Sequence, residues 1–376
     1  MSNSSPYLAP ATRWSWKKAI FLSLAVLFVF TELALRVIHV PSVRQRLAPV
    51  AFEESRSPLQ GHPYSAFTCK PNFQSSPDSK QQVSHNSFGF RGKETTWSKP
   101  KGVLRVLCVG GSSTYGAGVS SDEHTWPVQL EGVLASATED GRFEVINLGV
   151  PGYSSFESLT RFATVGMELQ PDVVVIYHGM ADVRSALSNE PTPDNTHYRS
   201  NWPTTYRDGF EKALATSHVY RLLRSFTEDT HQPSTLGHVG RTHIGTDRTE
   251  RGVQPARGFT NFARNIRSMI ALAHSAGAEV VLISQAVDHR DLISGPNYEQ
   301  QAIALRRMSL VLPQLATGEG ISFVDAQATL EQEASQQIED RGSENIFAWE
   351  DGLRDSGAKL LAMTLADAVL HVQLAQ

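Results

Sequence analysis

Hydrophobic positions fall into five strand-length runs along the chain: residues 103–109 (VLRVLCV), 143–148 (FEVINL), 172–177 (DVVVIY), 279–284 (EVVLIS) and 321–325 (ISFVD). Helix-like stretches at 125–137, 155–168, 259–275, 297–316 and 354–370 separate and follow them. Strands that alternate with helices imply a parallel sheet covered on both faces. The unbroken Val/Ile run at 172–177 fits a strand buried on both sides. The pattern therefore predicts a three-layer α/β/α domain with a mainly parallel five-stranded sheet. An irregular insertion at about 183–258 interrupts it, carrying Trp202, Tyr206, Tyr220, several arginines and His197, His218, His231, His238 and His243. An insertion of this length reads as a lid, a binding loop or a partly disordered segment.

The N-terminal part follows a different pattern. Residues 19–40 are predominantly apolar, follow Lys17 and Lys18, and reach the roughly 20 residues of a bilayer-spanning helix only by including Glu32 and Arg36. Those two stand four apart, close enough to pair on one helical face. A cleaved signal peptide is the alternative, but Thr31-Glu32-Leu33 is a poor cleavage site. The division expected is a short tail at 1–18, a transmembrane signal anchor at 19–40, a Pro/Ser/Gln/Asn-rich stalk at 41–102 and an α/β domain at 103–376. Basic residues lie on both sides of the span. A short tail inside and the large domain outside the cytoplasm is the expected arrangement.

Composition narrows the function classes. The 376 residues are 40% hydrophobic and 19% charged, as in a globular chain, and a net charge of −4 leaves no footprint for nucleic acid. Two cysteines, Cys69 and Cys108, are too few for a disulfide framework. No His/Cys spacing matches a metal-ligand set, and no cofactor is implied.

The chemistry centres on the glycine-rich turn after the first run, Gly110-Gly111-Ser112-Ser113-Thr114-Tyr115-Gly116. Neither phosphate-binding pattern, G-x-G-x-x-G nor G-x-x-x-x-G-K-[ST], fits it. A structural turn and an exposed nucleophile remain. In open parallel sheets ligands bind beyond the carboxyl ends of the strands, where a serine in this turn sits. The turn resembles the first block of the SGNH/GDSL hydrolase superfamily, G-D-S-x-T-x-G. That resemblance makes Ser112 the nucleophile, with Gly111 in place of the usual Asp. Asn147-Leu148-Gly149-Val150-Pro151-Gly152 is similar to the second block, implying Gly152 as the oxyanion N–H donor. Gly179-Met180-Ala181-Asp182 matches the third block, G-x-N-D, except that Ala181 replaces the donor Asn. Asn86-Ser87-Phe88-Gly89-Phe90-Arg91-Gly92 is similar to a lead-in of membrane-anchored bacterial members.

The fourth block, D-x-x-H, has a recognisable frame from Phe347 to Ala362 in two registers. One puts Trp349 at the Asp position and Gly352 at the His position. The other keeps Asp351 and puts Arg354 where His belongs. Both lose the histidine. Candidate replacements for the base are His178, His289 (beside Asp288), Asp351 and an insertion histidine such as His197. The resemblance implies an esterase or acyl-transfer enzyme acting on small acyl esters of lipids or glycans. The alternative is a catalytically silent module that binds a glycan or protein partner at the cell envelope.

Overall fold

The computed structural model describes residues 16–37, 58–138, 142–187, 191–195, 198, 209–214, 216–225, 256–288, 298–340, 346–349 and 351–374. In chain order the elements are α1 (Trp16–Val37), β1 (Leu59–His62), β2 (Ala66–Cys69), β3 (Val103–Gly110), α2 (Ser112–Tyr115), α3 (Trp126–Ala137), β4 (Arg142–Asn147) and α4 (Ser155–Arg161). Next come β5 (Val173–Tyr177), α5 (Met180–Leu187), α6 (Gly209–Leu214), α7 (His218–Ser225), α8 (Ala256–Ser275), β6 (Glu279–Ile283) and α9 (Tyr298–Glu319). The chain closes with β7 (Ser322–Val324), α10 (Ala326–Asp340), β8 (Phe347–Trp349), β9 (Gly352–Leu353) and α11 (Asp355–Leu374).

Two compact units emerge. One comprises Met1–Glu53 with Arg207–Thr230; the other comprises Glu54–Tyr206 with His231–Gln376. The first contains α1, 22 residues long with none of them buried, apolar enough to cross a membrane. It starts and ends three residues earlier than the expected 19–40; residues 38–40 lie outside the described set. Glu32 and Arg36 do pair, Arg36 Nη2 lying 3.0 Å from Glu32 Oε1.

The second unit is the α/β domain. Its five-stranded sheet has the order β4-β3-β5-β6-β7, and every neighbouring pair is parallel. The period-two alternation of a strand divides each run between two cores. On one face Val106, Cys108, Val175 and Val281 pack with Trp126, Leu130, Leu361 and Leu365 of α3 and α11. On the other, Leu107, Val109, Ile176 and Leu282 pack with Phe262, Ile266, Met269 and Met308 of α8 and α9. The expected runs are thus all strands, within a residue or two. The helix expected over 155–168 ends as an α-helix at Arg161 and continues as a wide turn, Phe162–Gly166, and a 3₁₀ turn to Leu169. Helix α10 and the two short hairpins have too few apolar positions to stand out in the pattern. Both cysteines are free and buried, and burial lifts the Cys69 thiol to about 12.

Residues 58–102, read from composition as a stalk, are largely built into this domain. Phe67, Cys69, Phe73 and Val83 share a core with Tyr115, Val150 and Tyr153. The composition is polar because this segment holds the domain through hydrogen bonds as much as through apolar burial. Arg91, its side chain fully buried, pairs with Asp122 at 2.7 Å and donates to the Gly116 carbonyl at 2.6 Å. Its guanidinium also lies 5.0 Å from the centre of the Tyr115 ring. His85 bridges the Lys70 carbonyl (2.9 Å) and the Tyr115 hydroxyl (2.8 Å). These partners suit a neutral ring that donates from Nδ1 and accepts at Nε2.

Removing the buried guanidinium takes away the ion pair of Asp122, which keeps its Ser84 donors, and the donor to the Gly116 carbonyl. Arg91→Ala should lower stability by about 3–5 kcal/mol, read as a lowered urea midpoint. Burial, only partly opposed by the Lys70 carbonyl, depresses His85 from 6.5 to about 4. Between those values the folded chain binds fewer protons than the unfolded chain. Stability present above pH 6.5 should therefore be lost as the pH falls towards 4, by about 3 kcal/mol from this group. A His85→Gln variant should show a shallower acid slope in the same urea titrations.

Candidate active site

Strand β3 ends at Gly110, and the chain turns through Gly111 into the single turn of α2. Ser112 is the first residue of that turn and is half-buried. The Gly152 N–H, from the turn after β4, donates to Ser112 Oγ at 3.0 Å. Gly152 has φ 81°, a left-handed backbone that an L side chain adopts only with strain. Gly111 is required by proximity instead. A Cβ built there would run into the Tyr153 carbonyl, so the usual Asp of the first block does not fit in this turn. The two turns are thus pressed together, with a backbone donor directed at the Ser112 hydroxyl. That arrangement suits charge developing on an acyl oxygen. Asn147 works locally: its Oδ1 accepts the Gly149 N–H at 2.9 Å.

Next to Ser112 lies a buried polar chain drawn from four segments. Ser113 Oγ donates to the Asp351 carbonyl at 2.6 Å and accepts from Gln285 Nε2 at 3.2 Å. Arg184 Nη2 reaches Asp351 Oδ1 at 3.4 Å. Sequence reasoning passed over Gln285 and Arg184. Gln285 follows β6 at the sheet's carboxyl edge, which was its only signal, and Arg184 belongs to no block.

Neither described candidate for the base, His178 or Asp351, hydrogen-bonds to Ser112 Oγ. Among the described residues, Ser112 Oγ has the Gly152 N–H as its hydrogen-bond partner. His178 is buried, its Nδ1 3.6 Å from Asp182 Oδ2 and its Nε2 without a hydrogen-bond partner. Burial holds it neutral, with its pKa down at about 3. Asp182 accepts from the Ser155 hydroxyl at 2.6 Å and its N–H at 3.1 Å, at the start of α4. Burial, against those hydrogen bonds, raises Asp182 to about 7. Asp351 faces Arg184. His289 and His197 lie outside the described residues, and Asp288 is buried. Ala181, in the first turn of α5, offers a methyl group where the third block has an amide donor. No group of three or more His, Cys, Asp or Glu side chains is placed to hold a metal ion among the described residues.

The fourth block folds into the β8–β9 hairpin, where Trp349 pairs with Gly352. A Cβ built on Gly352 would fall inside the Trp349 indole. Positions 349 and 352 therefore face each other, as an orienting carboxylate and its imidazole must. Arg354, by contrast, is exposed, and its Nε donates to the Phe347 carbonyl at 3.1 Å. The Trp349 ring occupies the space that a base at 352 would need.

A search of curated proteins finds no match. Among solved structures, the chain is similar to a lipase/acylhydrolase from Enterococcus faecalis, with 15% identity over 71% of this chain and 95% of that one, at a TM-score of 0.40. It is also similar to a catalytic mutant of an acetylxylan esterase from Geobacillus stearothermophilus, with 14% identity over 71% and 94%, again at 0.40. The model of the GDSL-like lipase/acylhydrolase family matches residues 108–357, from the middle of β3 to the start of α11. That match takes in the serine turn, Gly152 and the β8–β9 hairpin, and the chain belongs to this family.

Proposed function

We propose that this chain is an envelope esterase or acyl-transfer enzyme in which Ser112 attacks an acyl carbonyl. The N–H groups of Gly152 and of Ser112 itself receive the developing oxyanion. The observation that carries this reading is the 3.0 Å contact from the Gly152 N–H to the half-buried Ser112 Oγ, within a family match of 250 residues. The substrate class is small acyl esters carried by lipids or glycans. In this reading α1 is a retained anchor that holds the α/β domain outside the cytoplasm. On the same reading Trp349 and Gly352 stand at the Asp and His positions of the fourth block, so the proton that Ser112 gives up as it attacks passes through water to the leaving alkoxide rather than to an imidazole at 352. Loss of a triad base costs as much as about 10⁶-fold in rate, so turnover is slow.

A second reading rests on that indole. Trp349 packed on Gly352 turns the proton-transfer side of the cleft into an apolar wall. This favours a silent module that binds a glycan or protein partner in the same crevice.

A fluorophosphonate probe and short acyl esters separate the two. The enzyme reading expects slow covalent labelling and slow hydrolysis by the purified chain, both abolished in Ser112→Ala. A folded wild-type protein that is neither labelled nor active would sink it and leave the binding module. Restoring the pair as Trp349→Asp with Gly352→His replaces the indole with an imidazole and its orienter. This double variant should hydrolyse the same esters at least about 100-fold faster, at a rate that still requires Ser112. An unchanged rate in a folded double variant would show that position 352 is not the base position.

A further inference from the structure

Glu32 is an acidic residue inside an otherwise apolar helix, and it is heavily engaged. Its carboxylate accepts the Ser217 hydroxyl at 2.8 Å and the backbone N–H groups of His218 and Val219, both at 2.9 Å. Arg36 Nε adds a fourth donor at 3.1 Å. Residues 217–219 are the start of α7, so a side chain of the N-terminal helix caps a helix from the insertion almost 200 residues later. Free N–H groups at a helix start attract a carboxylate, and a carboxylate in an apolar span needs such donors. Each element supplies what the other lacks.

The position of Glu32 also fixes a depth. It stands five residues before the end of α1 at Val37. At about 1.5 Å per residue, the start of α7 is therefore held about 7.5 Å from the end of the helix. Helices that lie in a membrane interface sink about 5–10 Å into it. The same unit exposes large apolar side chains beside the anchor: Leu223 is 62% and Phe210 74% exposed, as are Phe21, Leu27 and Phe30 of α1.

We infer that α7 is a membrane-interface helix, seated in the headgroup–acyl boundary by Glu32 and presenting Leu223 to lipid. The inference rests on α1 being a retained anchor. It also gives that retention a physical reason, because the cap on α7 is complete only when residue 32 is present.

The test uses the full chain in vesicles of phosphatidylcholine and phosphatidylglycerol, some of whose lipids carry a doxyl quencher near the carbonyl. An NBD fluorophore is attached to Leu223→Cys or, as reference, to Phe28→Cys. Cys69 and Cys108 are buried with raised thiol pKa values and leave the introduced thiol as the reactive one. Most of the emission at 223 should be lost to the quencher. In a Glu32→Ala background that quenching should fall away while quenching at 28 persists, since this change makes the anchor more apolar and cannot weaken its insertion. Quenching at 28 without quenching at 223 overturns the inference and leaves the anchor intact. Undiminished quenching at 223 in Glu32→Ala overturns the role of Glu32. Absence of quenching at both positions overturns the anchor reading itself, and the inference with it.

Discussion

The central constraint is strand β3, hydrogen-bonded to parallel neighbours on both edges and buried on both faces. Strand order reverses there. The connection to β4 leaves on one side and the next lies across β5 on the other, so the sheet opens a crevice at the carboxyl end of β3. The chain has to turn at that point, and Gly110, Gly111 and the short helix α2 make the turn. Ser112 stands half-buried at the mouth of that turn, past the alternating Val106–Val109 segment that is committed to two cores. The lead-in then braces the turn from outside, through Arg91 on Gly116 and His85 on Tyr115.

The site divides into two halves with different physical dependencies. The side at Gly152 is made of backbone. The Gly152 N–H is aimed by turn geometry, and any chain that folds with Gly111 against Tyr153 retains it. The side at the β8–β9 hairpin and the start of α5 carries Trp349, Gly352 and Ala181. Ala181 and the Trp349–Gly352 contact leave the hairpin, the sheet and the serine turn intact. Buried polar groups next to the serine have been taken over for cohesion: Asp351 with Arg184, Ser113 with Gln285, Asp182 with Ser155.

The N-terminal unit shows the same economy of polar groups. Glu32 is out of place in a span judged by composition, and it becomes intelligible as the cap of α7. A residue that weakens the hydropathy signal of α1 is the one that ties α7 to it.

Periodicity alone determined the five strands, most of the helices and the α/β class, because a strand buried on two faces needs consecutive Val and Ile, and amphipathic helices need their own spacing. The glycine–serine turn after β3 and the glycine turn at 152 were legible as well, because both depend on residues with special backbone freedom at fixed offsets. Tertiary structure decided the rest. The polar lead-in became part of the domain through buried Arg91 and His85, which composition counts as solvent-facing. Which residues of 349–354 face each other is set only by the pairing of Trp349 with Gly352 across the hairpin. Gln285, Arg184 and the cap at Glu32 pair residues far apart in sequence, and a contact across such distances leaves no period or spacing to read. Local physics writes itself along the chain; a long-range hydrogen bond exists only once the chain has folded.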